Sequence, residues 1–479
     1  MAMPQIEPIS LLERWPAPDE AAARAALQAS FSAFRHKLVV LDDDPTGVQT
    51  VHDVAVYTDW RTETLKAGLE SSDSLFFVLT NSRSFSSEET RQVHEEIAAN
   101  LAQASRETGC PFVLISRSDS TLRGHYPLET ETLRQGLEAR LPVRFDGEIL
   151  LPFFLEGGRY TVDDVHYVRD GNRLVPAGLT EFAKDTTFGY TASDLKEWCQ
   201  EKTQGAYLAD HVVSITMEEL RGRDYDSIRR KLLSVTGFGK VVVNAAAYAD
   251  VEVFATAYLQ ALAAGKQFLF RGSAAIVKVL GNVSDRPLLT RTDLIRQENA
   301  AGGMIVVGSH VRKTTAQLEA LKAGCPQIAY ICFDANTVFT PGGLEAERDR
   351  VLAAAADAIR QGITAAVYTS RTVIRMEAGN HEENLAVSVR ISEAVTSLVA
   401  RLSIRPAFIL AKGGITSSDV GVKALGVKKA IVRGQIAPGV PVWETGGEST
   451  FPHIPYVIFP GNVGDESTLC NVVKTLLDT

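Results

Sequence analysis

Three consecutive carboxylates, Asp42, Asp43 and Asp44, follow the first apolar run of the chain and precede a Pro-Thr-Gly turn. Because adjacent carboxylates repel one another, at least one should have a raised pKa unless a cation or a hydroxyl-rich ligand joins them. Such a group can accept a proton from a substrate hydroxyl or bind a pair of sugar hydroxyls. The alternative is a solvated turn in which an aspartate caps the next helix, and the residues alone leave both interpretations open.

Three further apolar runs lead into arginines. The segment LTNSRS carries Asn81 and Arg83, and FFLEGGRYT carries Arg159 after two glycines. The run that lies between them ends in ISRSDSTLRGHYP, which holds Arg117, Asp119, Ser120, Thr121, Arg123 and His125. Guanidiniums beside a carboxylate and hydroxyls form a fork for a ligand with a carboxylate and several hydroxyls. The alternative is a turn whose ion pairs satisfy only each other, and His166 is at least as well explained as a buried structural residue.

In the second half, glycines rather than charges follow the apolar runs. The segments are GSHVRKTT, AKGGITSSD and PGNVGDES, which include Ser309, Lys412, Gly413, Gly414, Ile415, Thr416, Gly461, Asn462 and Gly464. Glycine-freed backbone amides at helix N-termini are ready anion sites, and three of them at one sheet edge suggest a polyphosphate. No GxxxxGK[ST] or GxGxxG motif is present. Each turn alone is equally typical of an ordinary connection between a strand and a helix.

Short apolar runs with helical segments between them must position these residues. In the first half the runs are 37–41, 74–80, 111–116, 147–154, 211–215 and 240–244, and in the second half 303–309, 327–334, 364–370, 406–414, 428–434 and 455–461. Most are continuously apolar, which is typical of parallel strands buried on both faces. Ligands of such sheets bind beyond the carboxyl ends of the strands, where the polar residues and glycines described above stand.

The length of 479 residues predicts two domains, because single cores rarely grow beyond about 300 residues. We expect an α/β fold in which each domain is a mainly parallel sheet flanked by helices, with the active site in the interdomain cleft. The expected parts are an N-terminal helical extension over 1–35, a first domain over 36–285, a linker over 286–302 and a second domain over 303–479. The linker assignment rests on the polar stretch NVSDRPLLTRTDLIRQENAAGG.

Composition and charge argue against several classes of protein. The chain has 49 basic and 58 acidic residues, a net charge of −9 and no basic run, which disfavours nucleic-acid and anionic-membrane partners. No apolar run approaches the roughly 20 residues of a membrane span. Five scattered cysteines predict free thiols, and their spacing fits no metal site. The N-terminal sequence lacks a signal-peptide pattern, so we expect a cytoplasmic protein that binds small molecules.

At these residues the sequence resembles the four-carbon acid sugar kinase family, over nearly the whole chain after residue 36. The family's Asp-Asp-x-Thr-Gly is matched from Asp43 to Gly47, and its Asp-Ser-Thr-x-Arg-Gly from Asp119 to Gly124. Further matches, in the family's order, are Gly158-Arg159-x-Thr161, Arg271 and Ser273 of a Phe-Arg segment, Gly308-Ser309, Gly413-Gly414, the PGVP turn and Gly461-Asn462-x-Gly464.

Three motifs depart from the family pattern. Ile415 stands where the family has an acidic residue, Phe459 where it often has a lysine, and His310-Val311 where it has Cys-Ser. Lys412 directly precedes the two glycines. We therefore hypothesise that Lys412 supplies the phosphate-binding charge that Phe459 cannot supply.

The resemblance implies an N-terminal domain for the acid sugar and a C-terminal domain for ATP, which together phosphorylate a terminal hydroxyl with Mg²⁺. Family activities include kinases for threonate, erythronate, 3-oxo-tetronate and 3-oxo-isoapionate. The predicted catalytic base is Asp44 or Asp43, and the predicted substrate-binding residues are Asn81, Arg83, Asp119, Ser120, Arg123 and Arg159. The nucleotide would be bound by Ser309, Lys412, Gly413, Gly414, Ile415, Thr416, Gly461, Asn462 and Gly464.

The sequence leaves the metal ligands, the stereochemistry of the acid and a homodimeric state open. The alternative function is a non-catalytic sensor or binding protein for a sugar acid or a nucleotide. A dehydrogenase or an isomerase is disfavoured, because neither a dinucleotide fingerprint nor metal-ligand spacing is present.

Overall fold

The computed structural model describes residues 5–295, 300–308, 312–370, 381–461 and 463–478, without the side chains of 381–386. Ser309, His310 and Asn462 therefore lie outside the described residues. The chain forms two compact units. The first comprises Met1–Gly47 and Asp59–Ser284, and the second comprises Val48–Thr58 and Asp285–Thr479.

The elements are numbered in chain order. Up to residue 284 the strands are β1 (Glu7–Pro8), β2 (Lys37–Asp42), β3 (Val54–Tyr57), β4 (Leu75–Leu79), β5 (Phe112–Arg117), β6 (Gly147–Leu151), β7 (Arg159–Val162), β8 (Val165–Asp170), β9 (Arg173–Pro176), β10 (Val213–Ile215), β11 (Gly239–Val243) and β12 (Phe268–Gly272). The helices are α1 (Glu20–Phe31), α2 (Thr62–Glu70), α3 (Ser87–Thr108), α4 (Leu128–Glu138), α5 (Leu195–Lys202), α6 (Met217–Arg221), α7 (Tyr225–Ser234), α8 (Tyr248–Ala263) and α9 (Ala274–Leu280).

Beyond residue 284 the strands are β13 (Met304–Val307), β14 (Ala329–Phe333), β15 (Ala365–Thr369), β16 (Ile409–Lys412), β17 (Lys429–Ala437), β18 (Val440–Thr445) and β19 (Pro455–Phe459). The helices are α10 (Arg291–Leu294), α11 (Arg312–Gly324), α12 (Gly343–Arg360), α13 (His381–Ala400), α14 (Gly414–Asp419) and α15 (Thr468–Leu477). In the described parts of the chain, no helix is both long and apolar enough to cross a bilayer.

The main sheet of the first unit has the order β10-β11-β6-β12-β5-β2-β4, and each neighbouring pair is parallel. Every residue of β2, β4 and β6 is buried, which explains why these runs are mostly apolar on both faces. Helices α2, α3 and α4 pack in series, and α1, α7 and α9 pack against α8. The predicted α/β fold with a mainly parallel sheet is confirmed for this unit.

A small antiparallel sheet of order β1-β9-β8-β7 also belongs to the first unit, and the sequence interpretation missed it. Its strands are short and mix apolar with charged residues, so they lack the continuous runs on which the prediction rested. Strand β1 comes from the predicted helical extension. The extension therefore adds a strand to this sheet and also packs α1 against α8.

The sheet of the second unit has the order β3-β17-β18-β19-β16-β13-β15-β14. Strands β19, β16, β13, β15 and β14 are parallel, whereas β3, β17, β18 and β19 pair antiparallel. Its core includes Leu289, Leu294 and Ile295, which fall within the predicted linker. The Leu289 amide also donates to the Gln435 carbonyl at 2.7 Å, so this part of 286–302 is packed into the second unit.

The unit to which strand β3 belongs differs from the sequence interpretation, which assigned all of 36–285 to the first domain. The segment Val48–Thr58 belongs to the second unit, where β3 pairs with β17 from Val54↔Val432 to Tyr57↔Lys429. The pairing is antiparallel and joins segments about 370 residues apart in the sequence. A local pattern cannot reveal so distant a partner.

Candidate functional site

The carboxyl ends of β2, β4 and β5 form one edge of the first unit's sheet. Asp42, the last residue of β2, pairs with Leu79 of β4 on one side and with Arg117 of β5 on the other. The acidic triplet Asp42–Asp44 therefore lies between the turn that follows β4 and the segment that follows β5. Residues from three separate parts of the sequence meet at this edge.

Arg83 binds two of the three carboxylates. Its Nε and Nη2 donate to Asp43 Oδ2 and Oδ1 at 3.1 and 2.6 Å, and its Nη1 donates to Asp44 Oδ2 at 2.6 Å. Although burial opposes the charge, Asp43 and Asp44 raise the pKa of Arg83 well above its ordinary value. Arg83 therefore orients the triplet, and its charge is already neutralised by the protein.

Asp44 is the carboxylate of the triplet that a ligand can reach. Its side chain is 17% exposed, against 2% for Asp43. Its Oδ1 accepts the Thr46 amide at 2.6 Å and the Thr46 hydroxyl. Burial would raise the pKa of Asp44, but Arg83, Arg117 and the Thr46 hydrogen bonds hold it below its ordinary value. For Asp43, burial dominates and raises the pKa.

Asp42, the remaining member of the triplet, forms a buried pair with Arg117. Arg117 Nη1 is 3.2 Å from Asp42 Oδ1 and 3.6 Å from Asp43 Oδ1. Burial raises the pKa of Asp42 to about 8 against the opposing field of Arg117, and the neighbouring carboxylates Asp44 and Asp43 add to the rise. Asp42 is only 2% exposed, and Arg117 holds its carboxyl group in the interior of this edge.

Asp119 and Arg123 form a second ion pair at this edge. Arg123 Nε donates to Asp119 Oδ2 at 2.8 Å, and Arg123 Nη1 lies 3.8 Å from Asp185 Oδ2. Burial alone would raise the pKa of Asp119, but Arg83 and Arg123 hold it far below its ordinary value. The guanidinium carbon of Arg123 is 5.1 Å from the centre of the Phe182 ring.

Arg159 lies beside the same aromatic ring. Its guanidinium carbon is 5.7 Å from the Phe182 ring centre, its Nη1 donates to the Gly157 carbonyl, and its Nε is buried without a hydrogen bond. Burial lowers the pKa of Arg159. Within the described residues, no carboxylate lies within ion-pair distance of this guanidinium.

The remaining predicted residues of this edge make local contacts. Asn81, which has a φ of 57°, donates from Nδ2 to the Ser84 hydroxyl at 2.9 Å. The Ser120 carbonyl is bonded to His166 Nε2 at 2.8 Å, and His166 Nδ1 is 3.0 Å from the Thr161 hydroxyl. Burial lowers the pKa of His166 to about 4. His166 is therefore a neutral structural residue.

In the second unit, the ends of three adjacent strands are in register. Val307 of β13 pairs with Lys412 of β16, and Lys412 pairs with Phe459 of β19. The glycine turns that follow these strands consequently share one edge of the sheet. Of the predicted nucleotide-binding residues, Ser309 and Asn462 lie outside the described residues.

Lys412 is a fully buried cation at this edge. Its Nζ donates to the Pro460 carbonyl at 3.0 Å and lies 4.2 Å from the centre of the Phe459 ring. Burial, together with the neighbouring Lys313, lowers the pKa of Lys412 to about 7. No carboxylate of the described residues is within ion-pair distance. From the sequence, Phe459 was expected only to lack the positive charge of the lysine that the family often has there. In the structure its ring faces the ammonium group of Lys412.

The turns around Lys412 are closely packed. A Cβ built on Gly308 would come within 2.3 Å of the Thr416 hydroxyl, so only glycine allows this approach. The Gly413 amide donates to the Phe459 carbonyl at 2.9 Å, so its N–H is already hydrogen-bonded within the protein. Gly414 and Gly461 face open space, and Ile415 is 68% exposed. Gly464 has a φ of 75° and packs against Thr468.

Other residues with a role in the two edges escaped the sequence analysis. Phe182 and Asp185, which contact the arginines of the first unit, lie between strands and belong to no motif. Gln317 of α11 is fully buried and donates to the carbonyls of Val463 and Asp465 at 3.1 and 2.7 Å. It fixes the turn that follows β19. Only the three-dimensional neighbours identify these residues.

Metal ligands are not evident in the described parts of the chain, where no group of three or more His, Cys, Asp or Glu side chains could hold a metal ion. A nucleotide, in contrast, fits the second edge. Lys412 has a buried ammonium group with no carboxylate near it in the described ranges, and the turns beside it have open space at Gly414 and Gly461, which suits the phosphates of a bound nucleotide.

Two family models match most of the chain. A sugar-binding N-terminal domain matches residues 38–280, and a nucleotide-binding C-terminal domain matches residues 304–469. A 3-oxo-tetronate kinase from Pseudomonas savastanoi pv. phaseolicola is 25% identical over 465 residues, covering 93% of this chain and 99% of its own. A 3-oxo-tetronate kinase from Pseudomonas fluorescens is 26% identical over 371 residues, covering 75% of this chain and 79% of its own.

Solved structures share the fold. A Haemophilus influenzae protein of the DUF1537 family superposes with a TM-score of 0.59 at 18% identity, covering 91% of this chain and 100% of its own. A Salmonella typhimurium LT2 protein described as a candidate tRNA synthase superposes with a TM-score of 0.62 at 16% identity, covering 91% and 98%. The two-unit α/β architecture is thus common to these proteins.

Proposed function

We propose that this chain, which belongs to the four-carbon acid sugar kinase family, is an ATP-dependent kinase for the terminal hydroxyl of a four-carbon sugar acid or its 3-oxo or branched derivative. One observation carries the proposal. In each unit one cation has no carboxylate within ion-pair distance among the described residues: the half-buried Arg159, whose Nε is buried, in the first unit and the fully buried Lys412 in the second. A buried unpaired charge is unfavourable, so each is expected to bind an anion.

In the first unit, Arg159 is the residue best suited to the carboxylate of the substrate. Arg83 and Arg123 are already paired with aspartates, whereas Arg159 has a free Nε. A guanidinium binds a carboxylate through two parallel N–H bonds, which also fixes its orientation. Asp119 and Ser120 would then contact hydroxyls of the acid, and Arg83 would hold Asp43 and Asp44 in place.

Asp44 is the proposed base for the attacking hydroxyl. It is the exposed member of the triplet, and its lowered pKa keeps it ionised at neutral pH. Phosphoryl transfer passes through a loose transition state, so positioning of the hydroxyl matters more than the strength of the base. Asp44 would orient the terminal hydroxyl through one hydrogen bond and accept its proton as the bond to phosphorus forms.

In the second unit, Lys412 and the turns at Gly413–Thr416 and Gly461–Gly464 are proposed to bind the phosphates of the nucleotide. ATP supplies the phosphoryl group, and Mg²⁺ supplies positive charge on its oxygens. Because magnesium keeps several waters and binds few carboxylates beside phosphates, we assign no protein ligand to it. Because burial lowers the pKa of Lys412 to about 7, a phosphate bound beside it would favour the charged form, and the desolvated charge would attract the phosphate strongly.

The names of the relatives suggest which acid to test first. Both relatives are called 3-oxo-tetronate kinase, and one of them aligns over 93% of this chain. At 25% identity the substrate can differ in stereochemistry or oxidation state. We therefore propose 3-oxo-tetronate as the first acid of a wider panel.

The test is ADP release from ATP and Mg²⁺ with D- and L-threonate, D- and L-erythronate, their 3-oxo forms and 3-oxo-isoapionate. We expect rapid release with one acid, and a loss of kcat of roughly 100-fold or more in Asp44→Asn with unchanged ADP affinity by calorimetry. Asp170→Asn, at an exposed position in β8, is the control and should keep the wild-type kcat.

Two results would contradict the proposal. Nucleotide binding without ADP release for any acid would favour the sensor alternative. A protein that binds no nucleotide would remove the phosphate role from the second unit. Near-normal turnover in Asp44→Asn would leave the kinase in place but exclude Asp44 as the base.

A further inference from the structure

Phe182 lies beside two arginines at the carboxyl edge of the first unit's sheet, and the proposed function gives it no role. The guanidinium carbons of Arg123 and Arg159 lie over its ring, at 5.1 and 5.7 Å from the centre. Both distances are within the roughly 6 Å over which an aromatic face attracts a cation. Ala183 and Tyr190, close by in the same segment, are buried in an apolar cluster, whereas Phe182 is only half-buried. Its ring is thus placed to act on the two cations.

The two arginines differ in what else holds them. Arg123 Nε donates to Asp119 Oδ2 at 2.8 Å, so an ion pair already fixes that guanidinium. Among the described residues, the Arg159 guanidinium has one hydrogen bond, to the Gly157 carbonyl, and one aromatic neighbour, the Phe182 ring. Burial lowers the pKa of Arg159, and the charge of Arg123 lowers it further against the opposing field of Asp119. The orientation of Arg159 therefore depends on the ring more than that of Arg123 does.

An aromatic ring holds a guanidinium without using its hydrogen-bond donors. A carboxylate accepts N–H bonds and so occupies donors, whereas a ring attracts the charge through its face and leaves the N–H groups available. Arg159 donates from Nη1 to the Gly157 carbonyl, and its Nε has no hydrogen bond. Its remaining donors suit the two parallel N–H bonds through which a guanidinium binds a carboxylate.

The segment that carries Phe182 is anchored on both sides of the ring. Before the ring, the Gly178 amide donates to the Ser193 hydroxyl at 2.9 Å. After it, the Tyr190 hydroxyl donates to the Thr121 carbonyl at 2.7 Å. These bonds tie the segment to two other parts of the first unit, so the backbone of Phe182 is held in place beside the arginines.

We infer that Phe182 is a positioning residue for the sugar acid, and that its ring holds the Arg159 guanidinium in the orientation that binds the carboxylate. The inference rests on the proposed function, because it takes the ligand of Arg159 to be the carboxylate of a sugar acid. Without the ring, Arg159 adopts this orientation for only a fraction of the time, and the apparent affinity for the acid falls by that fraction. Because Phe182 acts through Arg159 on the carboxylate, the KM for ATP does not change.

The test removes the ring and then restores it. Phe182→Leu keeps an apolar side chain without an aromatic face, and Phe182→Tyr keeps the face. Phe238→Leu is the matched control, because two cations also lie over the Phe238 ring, Arg134 at 4.7 Å and Lys240 at 3.8 Å from its centre, at the amino end of β11. For each protein, calorimetry measures the affinity for the acid that binds wild type most tightly, and ADP release and the melting temperature are recorded beside it.

We expect Phe182→Leu to bind the acid roughly 3- to 30-fold more weakly than wild type, with an unchanged KM for ATP. Phe182→Tyr should bind the acid like wild type. Phe238→Leu should lose thermal stability and keep its affinity for the acid. A Phe182→Leu protein with wild-type affinity, or a Phe182→Tyr protein as weak as Phe182→Leu, overturns the positioning role.

A cycle of double variants shows whether Phe182 acts through Arg159. Arg159→Met should itself weaken binding of the acid, and Phe182→Leu should weaken it little further in that background, because the two residues act as a unit. In an Arg123→Met background, Phe182→Leu should keep its full effect. Where binding is too weak for calorimetry, kcat/KM for the acid from initial rates gives the same comparison. Additive losses of Phe182→Leu and Arg159→Met would contradict the inference.

The same measurements separate this inference from the proposed function. If the variants bind the acid as expected but wild type releases no ADP, the kinase proposal fails and the positioning role stands. If ADP is released and Phe182→Leu binds the acid like wild type, the positioning role fails and the kinase stands. If no acid binds wild type, both are overturned.

Discussion

The arginines at the carboxyl edge of the first sheet differ in what neutralises them. Arg83, Arg117 and Arg123 are paired with aspartates, whereas Arg159 and Arg271 have no carboxylate partner among the described residues. An arginine that is buried and unpaired is a stronger candidate for ligand binding than one whose charge is already balanced. The sequence analysis treated Arg83, Arg123 and Arg159 alike, because residue type and spacing do not show which aspartate each one binds.

Asp42 gives a prediction about stability and pH. Its pKa is about 8 in the folded protein, mainly because of burial, and near 4 in an unfolded chain. Between these values the folded state holds a proton that the unfolded state has released, so stability should fall as the pH rises from about 4 to about 8. Asp42→Asn removes this titration and keeps the shape of the side chain.

The variant lacks this titration, so it should not share the loss of stability that wild type shows as the pH rises. The free energy of unfolding of Asp42→Asn minus that of wild type should therefore increase by a few kcal/mol from pH 5 to pH 8.5, since one pKa unit corresponds to about 1.4 kcal/mol. Urea unfolding at several pH values measures it. Asp170→Asn, at an exposed position, is the control and should track wild type. A difference between Asp42→Asn and wild type that does not change with pH would show that Asp42 is ionised in the folded protein throughout this range.

At the scale of the elements, the adjacent strands β16 and β19 place Lys412 beside Phe459. The sequence hypothesis treated these positions as alternatives for one charge, yet the ring of Phe459 faces the ammonium group at 4.2 Å. A substitution of Phe459 will therefore disturb Lys412 as well. Comparison of alanine variants at the two positions would not separate their roles.

Methionine and leucine variants separate them. Lys412→Met keeps most of the volume and removes the charge, so we expect the KM for ATP to rise roughly 10- to 100-fold with unchanged KM for the acid. Its melting temperature should be equal to or above that of wild type, because a buried unpaired charge is lost. Phe459→Leu should lower the melting temperature, and it should raise the KM for ATP less than Lys412→Met does. An unchanged KM for ATP in Lys412→Met would exclude it from phosphate binding.

Elements with continuous apolar runs were predictable, and those that depend on distant partners were not. The runs at 37–41, 74–80 and 111–116 form β2, β4 and β5, because strands buried on both faces need apolar residues along most of their length. The meander β7–β9 and the strand β3 are short, and their partners decide their conformation. The segment around Leu289 is polar overall, yet a few apolar residues bury it in the second unit.

The candidate site was predictable to the same extent. Strand ends predicted which segments meet, since the carboxyl ends of parallel strands share an edge. The sequence could not predict that Arg83 binds both Asp43 and Asp44, or that Phe182 lies beside two arginines. These contacts depend on side-chain rotamers and on loops whose conformation the local sequence does not determine.

At the scale of the whole molecule, the second unit depends on a strand from the first fifty-odd residues. Strand β3 pairs along one side of β17, while β18 pairs along the other. Without β3, the backbone donors and acceptors on that side of β17 would lose their partners, and an unpaired edge promotes aggregation. The second unit is therefore not complete within residues 285–479.

We expect a fragment of residues 285–479 to be less stable than the same fragment with 48–58 attached through a flexible linker. The difference should appear as a lower melting temperature and as a concentration-dependent loss of soluble protein. A linked segment with Val54 and Val56 replaced by proline is the control, because proline cannot donate to β17. Equal melting temperatures for all three fragments would show that β3 adds nothing to the second unit.

The path of the chain through β3 also limits how members of this family can be recombined. Because the backbone passes between the units after Gly47, after Thr58 and after Ser284, no single cut yields two transferable cassettes. A hybrid that takes residues 285–479 from one relative and the rest from another would bring a foreign β3 to β17. Exchange of substrate preference and nucleotide preference between relatives therefore requires residues 48–58 to travel with the C-terminal half.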